Sequence, residues 1–213
     1  MIRRLAVLAL LVLAGPALAA IEALSPAEAG RRLASGGWLM MMRHAATEAG
    51  VGDPPNFRIG DCGTQRKLSD AGRAQARRAG AALRALGVRV DEVLSSQWCR
   101  CRETAELAFG AYENWPALNS FFGDPADEPA RTAQVIEYAR RLRAPRNAML
   151  VTHQVNIRAA MGTSTAPGEV VAGRWQDGRL VPAFRFRPDQ TEQAAETAGT
   201  APGWPARPDK ERG

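Results

Sequence analysis

The chain has 213 residues, 46% of them hydrophobic, with 28 Lys and Arg against 22 Asp and Glu and a formal charge of +6. That length suits one domain with a sizeable core. The positive excess is mostly arginine scattered over several segments, with no basic stripe interleaved with aromatics. This argues against a nucleic-acid partner and fits small anionic ligands, whose phosphate or carboxylate oxygens match the guanidinium fork.

In chain order, Arg3 and Arg4 precede an apolar run from Leu5 to Ala14, Gly15-Pro16 breaks it, and Ala17-Leu18-Ala19 supplies small residues. This is the pattern of a secretory signal peptide, residues 1–19, cut after Ala19. The run is shorter than the roughly 20 residues that span a bilayer, so no integral membrane segment is expected after cleavage. The mature protein is expected in the periplasm or outside the cell. An oxidising compartment permits one disulfide among Cys62, Cys99 and Cys101. Cys62–Cys99 is the first choice, because Cys101 lies two residues further into a helix, and Cys62–Cys101 is the alternative. Cys-x-Cys is not a usual zinc spacing, so no metal is expected.

Ser25-Pro26-Ala27-Glu28 is a capping box with proline at the first helical position and opens a helix to about Ala34. Trp38–Met42, an apolar run after Gly36-Gly37, predicts a buried strand that ends in Arg43-His44. Residues 45–68 have no periodicity and are rich in Gly, Pro, Asp and Asn, and a loop this long in a compact domain suggests function. Ser69 caps a helix from Asp70 to Leu86 with Ala79, Leu83 and Leu86 on one face, and Gly87 ends it. Its arginines Arg73, Arg77, Arg78 and Arg84 are expected to face water.

A second strand, 91–94, runs into Ser95-Ser96, and a helix follows over 97–109. Residues 111–128 look irregular. A helix over 130–143 carries Val135, Ile136, Ala139 and Leu142 at helical spacing. A third buried strand, 148–152, ends at His153, the second of two histidines, and a short helix follows through Ile157 to Met161. Residues 169–174 and 180–187 form a hairpin or edge strands around Asp177-Gly178. From 188 to 213 core formers are almost lacking, and a disordered tail is expected. Strands alternating with helices predict an α/β domain over 20–187: three layers, α/β/α, with a mostly parallel central sheet and helices on both faces. Open sheets of this kind bind ligands at the carboxyl ends of their strands, where both histidines lie.

Four features in this order resemble the histidine phosphatase superfamily, the phosphoglycerate mutase-like family, in an exported bacterial-type form. They are Arg43-His44 after a strand, Leu68-Ser69-Asp70-Ala71-Gly72 opening a helix, Ser95-Ser96 followed by Arg100 and Thr104-Ala105, and Thr152-His153 after the third strand. Together they cover about residues 36–175. The resemblance implies a phosphatase with no cofactor. His44 would be the nucleophile and form a phosphohistidine, for which its attacking nitrogen must be unprotonated. Arg43, Arg100 and His153 would hold the phosphoryl oxygens through charge-assisted hydrogen bonds. Arg66 and Asn56, from the long loop, are further candidates for substrate contact. Thr104 is expected to support packing rather than chemistry.

Two departures stand out. The family commonly has glycine after the first histidine, and this chain has Ala45, which would cost energy if that backbone needed a positive φ. The family's general acid is absent from both of its usual positions, occupied here by Ser120 and Gln154. Asp124, Asp127 and Glu128 are the candidates from the same loop, with Asp61 another, so the acid stays open. The expected substrate is an exported or envelope phosphorylated small molecule, or an activated phosphate that needs little protonation to leave. The alternative is a catalytically weak phosphate-binding or scaffold protein of the same fold.

Overall fold

A computed structural model describes residues 21–190. The signal-peptide segment and all but the first three residues of the expected tail lie outside the described residues. In chain order the elements are β1 (Glu22–Ala23), α1 (Pro26–Leu33), β2 (Leu39–Arg43), α2 (Asp70–Ala85), β3 (Glu92–Ser95), α3 (Cys99–Phe109), β4 (Glu113–Asn114), α4 (Glu128–Arg141), β5 (Ala148–Thr152), α5 (Gln154–Met161), β6 (Val170–Gln176) and β7 (Arg179–Phe186). Short 3₁₀ turns lie at 62–64, 116–118, 125–127 and 188–190.

The strands form one sheet in the order β1-β7-β6-β2-β5-β3-β4. Strand β2 pairs parallel with β5, which pairs parallel with β3, while the β6–β7 hairpin joins β2 antiparallel. The sheet is therefore mostly parallel, as the alternation of elements predicts. The hairpin is an interior part of it, and its turn is Asp177-Gly178, both at positive φ, as tight hairpins require. A strand of two residues lies at each edge of the sheet.

Side chains in a strand alternate between faces, so the apolar run Leu39–Met42 serves two cores. Met40 and Met42, with Met149 and Val151 of β5, meet Leu33 of α1, Ala79 and Leu83 of α2, and Ala105 and Phe109 of α3. Leu39 and Met41, with Ala148 and Leu150, meet Val135 and Ala139 of α4, and Ile157 and Met161 of α5. These are the two helical layers of an α/β/α sandwich.

Three expectations need correction. Arg73 and Arg84 do not simply face water. Arg73 pairs with Glu103 of α3 at 2.7 Å and Arg84 donates to the Ala108 carbonyl at 3.0 Å, so both tie α2 to its neighbour. The segment 111–128 is less irregular than its composition suggests, holding β4 and two 3₁₀ turns. Residues 188–190 belong to the folded domain, because Pro188 is buried and the Asp189 carboxylate accepts from Gln75 Nε2 at 3.1 Å.

Candidate active site

Register brings the strand ends together. Arg43 lies opposite Thr152, and Ser95 opposite Val151. His44, Ser96 and His153 are therefore the next residues on three adjacent strands. The His44 amide donates to the Thr152 carbonyl at 3.0 Å, and the Ser96 amide to the Val151 carbonyl at 2.9 Å. The two imidazole rings are 5.5 Å apart. Above them opens a cavity of about 1000 Å³ lined by Arg43, His44, Arg66, Arg100 and His153 among others.

His44 is buried, and its Nδ1 lies 2.9 Å from its neighbour's carbonyl, Ala45 O. A carbonyl only accepts, so Nδ1 carries the hydrogen and Nε2 keeps its lone pair. Nε2 has no protein partner among the described residues. Burial, then the charges of Arg100, Arg43 and Arg66, push the His44 pKa down to about 3, against the hydrogen bond to Ala45 that favours the proton. The imidazole is thus neutral at ordinary pH, the state a nucleophile needs.

The loop after His44 is held by three contacts. The Ala45 amide donates to Thr104 Oγ1 at 3.0 Å, the Ala46 amide to Gln75 Oε1 at 3.0 Å, and the Ala46 carbonyl accepts from the Ser69 amide at 3.1 Å. A side chain on Gly72 would put its Cβ 1.9 Å from the Ala46 oxygen. That contact explains the Ser-Asp-Ala-Gly run: serine caps α2 through the Gly72 amide, and glycine lets the helix start against the loop that leaves His44. Ala45 does not have a positive φ, so its methyl costs no backbone strain there, and it packs with Leu68 and Ala76.

Arg43 donates from Nη1 to the Thr165 carbonyl at 2.7 Å. Arg100 is buried, stands 4.4 Å over the Trp98 ring, and donates from Nη2 to His153 Nδ1 at 3.3 Å. A guanidinium cannot accept, so His153 Nδ1 bears the lone pair and Nε2–H donates to Ser96 Oγ at 3.0 Å. Ser96 in turn donates to Asn119 Oδ1 at 3.0 Å, which also accepts from the Gln97 amide. Burial and the surrounding cations hold the His153 pKa well below its ordinary value.

Of the other predicted residues, Arg66 lines the cavity and makes no ion pair among the described residues, whereas Asn56 is exposed and does not line it. A loop without a period does not show which side chains face the site, and here Pro55 and Phe57 line the cavity instead. Asp124 and Asp127 line the outer cavity, but Asp124 caps its own turn at the Ala126 amide and Asp127 is paired with Arg131. Glu128 lies outside the cavity, as does Asp61, which is paired with Arg58. Ser120 and Gln154 both line it. Among the described residues no cluster of His, Cys, Asp and Glu could hold a metal ion.

Three features escaped the sequence reading. Asp53 reaches the site and accepts from Arg100 Nη1 at 3.0 Å. Ser96 and Asn119 orient His153. Phe57 stacks on Trp98 at 4.4 Å and extends the cavity wall. The first and last depend on how the long loop folds, and the Cys62–Cys99 disulfide, paired as expected, ties that loop to the start of α3. Cys101 is a buried free thiol whose pKa burial pushes up to about 12.

Residues 39–124 match the family model of the histidine phosphatase superfamily (branch 1). No curated protein sequence matches the chain. Among solved structures, a phosphoserine phosphatase of Entamoeba histolytica bound to phosphoserine aligns with a TM-score of 0.54 and 11% identity, covering 72% of this chain and 98% of that one. The product of an open reading frame of Mycobacterium tuberculosis aligns with a TM-score of 0.53 and 20% identity, over 69% and 95%. A proposed alpha-ribazole-5'-P phosphatase of Escherichia coli aligns with a TM-score of 0.51 and 18% identity, over 70% and 95%. These likenesses establish the fold.

Proposed function

We propose that the chain, whose residues 39–124 match the histidine phosphatase superfamily model, is a phosphatase of that superfamily working through a phosphohistidine on His44. The observation that carries this is the free Nε2 of a neutral His44, held from behind by the Ala45 carbonyl and facing the cavity that Arg43, Arg66 and Arg100 line. Nε2 forms the bond to phosphorus as the bond to the leaving oxygen breaks. The arginines neutralise the charge that spreads over the phosphoryl oxygens, so the step needs no metal. His153 joins the clamp once a phosphoryl oxygen approaches Nδ1: the ring then carries its hydrogen there, and the Ser96 hydroxyl turns to donate to Nε2. Water attacks phosphorus on the opposite side from Nε2, and phosphate leaves.

The substrate is a phosphorylated small molecule of the cell envelope or exterior, or an activated phosphate. Export is supported by the signal-like N-terminus and by the disulfide, which persists in oxidising compartments. The cavity has far more room than a phosphoryl group needs, and its aromatic wall of Phe57 and Trp98 suits a leaving group with a flat or apolar body. The test is incubation of the mature protein with labelled acetyl phosphate. A base-stable, acid-labile label on wild type, lost in His44→Ala, is expected. Phosphate binding with no label from any reactive donor would establish the alternative, a phosphate-binding protein without turnover.

A further inference from the structure

We propose that Asp53, on the loop that leaves His44, is the proton donor to the leaving group. This rests on the phosphatase reading and supplies the acid that Ser120 and Gln154 cannot. The geometry points to Asp53 because, among the described residues, it is the one carboxylate in hydrogen-bond contact with the phosphate clamp. Its Oδ1 accepts from Arg100 Nη1 at 3.0 Å and from the Arg66 backbone amide at 3.1 Å, and its side chain is only 21% exposed. Its Oδ2 makes no hydrogen bond among the described residues, and Asp53 lines the cavity. These anchors hold Oδ1 with both donors and leave Oδ2 free to carry a proton between substrate oxygens.

Arg100 is what makes the position productive. Phosphoryl oxygens and the Asp53 carboxyl gather around one guanidinium, so the oxygen bridging phosphorus to the leaving group comes within reach of Oδ2. In that complex the carboxyl faces the phosphoryl oxygens as well as Arg100, and Oδ2 can take up the proton that a monoester monoanion brings and pass it to the leaving oxygen. The step balances. His44 Nε2 bonds to phosphorus, the phosphorus–oxygen bond breaks, and the leaving oxygen takes the Oδ2 proton. In the second half Asp53, now a carboxylate, takes a proton from the attacking water, the nitrogen–phosphorus pair returns to Nε2, and the acid is restored. The other candidates contact no clamp residue: Asp127 pairs with Arg131, outside the clamp, and Asp124 with its own turn.

The test compares leaving groups in wild type, Asp53→Asn and Asp53→Glu, using 4-nitrophenyl phosphate, phenyl phosphate and 2-glycerophosphate. General acid catalysis contributes about 10²- to 10⁴-fold where the leaving group is poor. Asp53→Asn should lose that factor in kcat on 2-glycerophosphate, lose less on phenyl phosphate, and stay within about tenfold of wild type on 4-nitrophenyl phosphate, consistent with the same rule. Asp53→Glu should recover part of the loss on 2-glycerophosphate. A purely structural role would slow all three substrates alike, and that result overturns the proposal. So does a wild-type protein that hydrolyses 4-nitrophenyl phosphate but spares the other two. Failure of the phosphatase reading is separable, because it appears as absence of the His44 phosphohistidine in wild type itself.

Discussion

At the scale of single residues, the site rests on protonation states that the fold imposes. The free His44 pKa of 6.5 falls to about 3, so the folded protein resists binding the proton that the unfolded chain accepts. The sign follows directly: stability is at its full value above pH 6.5 and is lost as the pH falls toward 3. A tenfold change in proton affinity is worth about 1.4 kcal/mol, so the loss is on the order of 5 kcal/mol in all. His153 acts in the same direction. A melting-temperature series from pH 8 to 4 should therefore fall steeply below about pH 6, and His44→Asn should flatten part of that fall. Arg100→Lys keeps a charge but loses the fork that meets both Asp53 and His153. Its kcat should drop by roughly 10²- to 10³-fold, the range for losing one donor to a developing oxyanion, as steady-state turnover of 4-nitrophenyl phosphate would measure. Ser96→Ala should weaken phosphate binding with a smaller loss, because it leaves the clamp in place but frees His153 from its Asn119-anchored partner. Competitive inhibition by vanadate would read that change.

At the scale of elements, the strands and helices were legible because their signals are local and repeated. Leu39–Met42 is apolar at every position because both of its faces are covered, and Ser25 and Ser69 announce helix starts through their own hydroxyls. His44 and His153 were legible for the same reason: each follows a strand, and register does the rest. What lay hidden is where loop side chains point. Asp53 and Asn56 are three residues apart in a stretch without periodicity, and nothing local says that the first turns to Arg100 and the second to water. Glu128 was misjudged similarly, because it opens α4 outside the cavity instead of ending the loop that lines it. The motif glycine is where element and site meet. In Gly72→Ala the methyl would meet the Ala46 carbonyl at 1.9 Å, so α2 or the loop that leaves His44 must shift. A cost of about 1–3 kcal/mol is expected, as for other overpacked sites. Urea denaturation would measure it, and activity should fall with it because Ala46 is two residues from His44.

At the scale of the molecule, the proposed site is assembled from parts held in different ways. His44, Ser96 and His153 hang from adjacent hydrogen-bonded strands, whereas Asp53, Arg66 and Phe57 come from a loop of more than twenty residues tied to α3 at Cys62–Cys99, positions 37 apart in sequence. Closing a loop of that length contributes about 3–4 kcal/mol by restricting the unfolded chain, so reduction should lower the melting temperature measurably. It should also divide the chemistry. With Cys62→Ser, phosphorylation of His44 by acetyl phosphate should survive, since the sheet carries it, while turnover of esters with poor leaving groups should fall furthest, since the freed loop carries Asp53. If the protein is exported as proposed, a thiol-reducing cytoplasm would hold it as a phosphate clamp lacking its acid. Crossing the membrane and oxidising one bond would then be the last act of enzyme maturation, and the cell's own pool of phosphate esters would be spared until the chain had left.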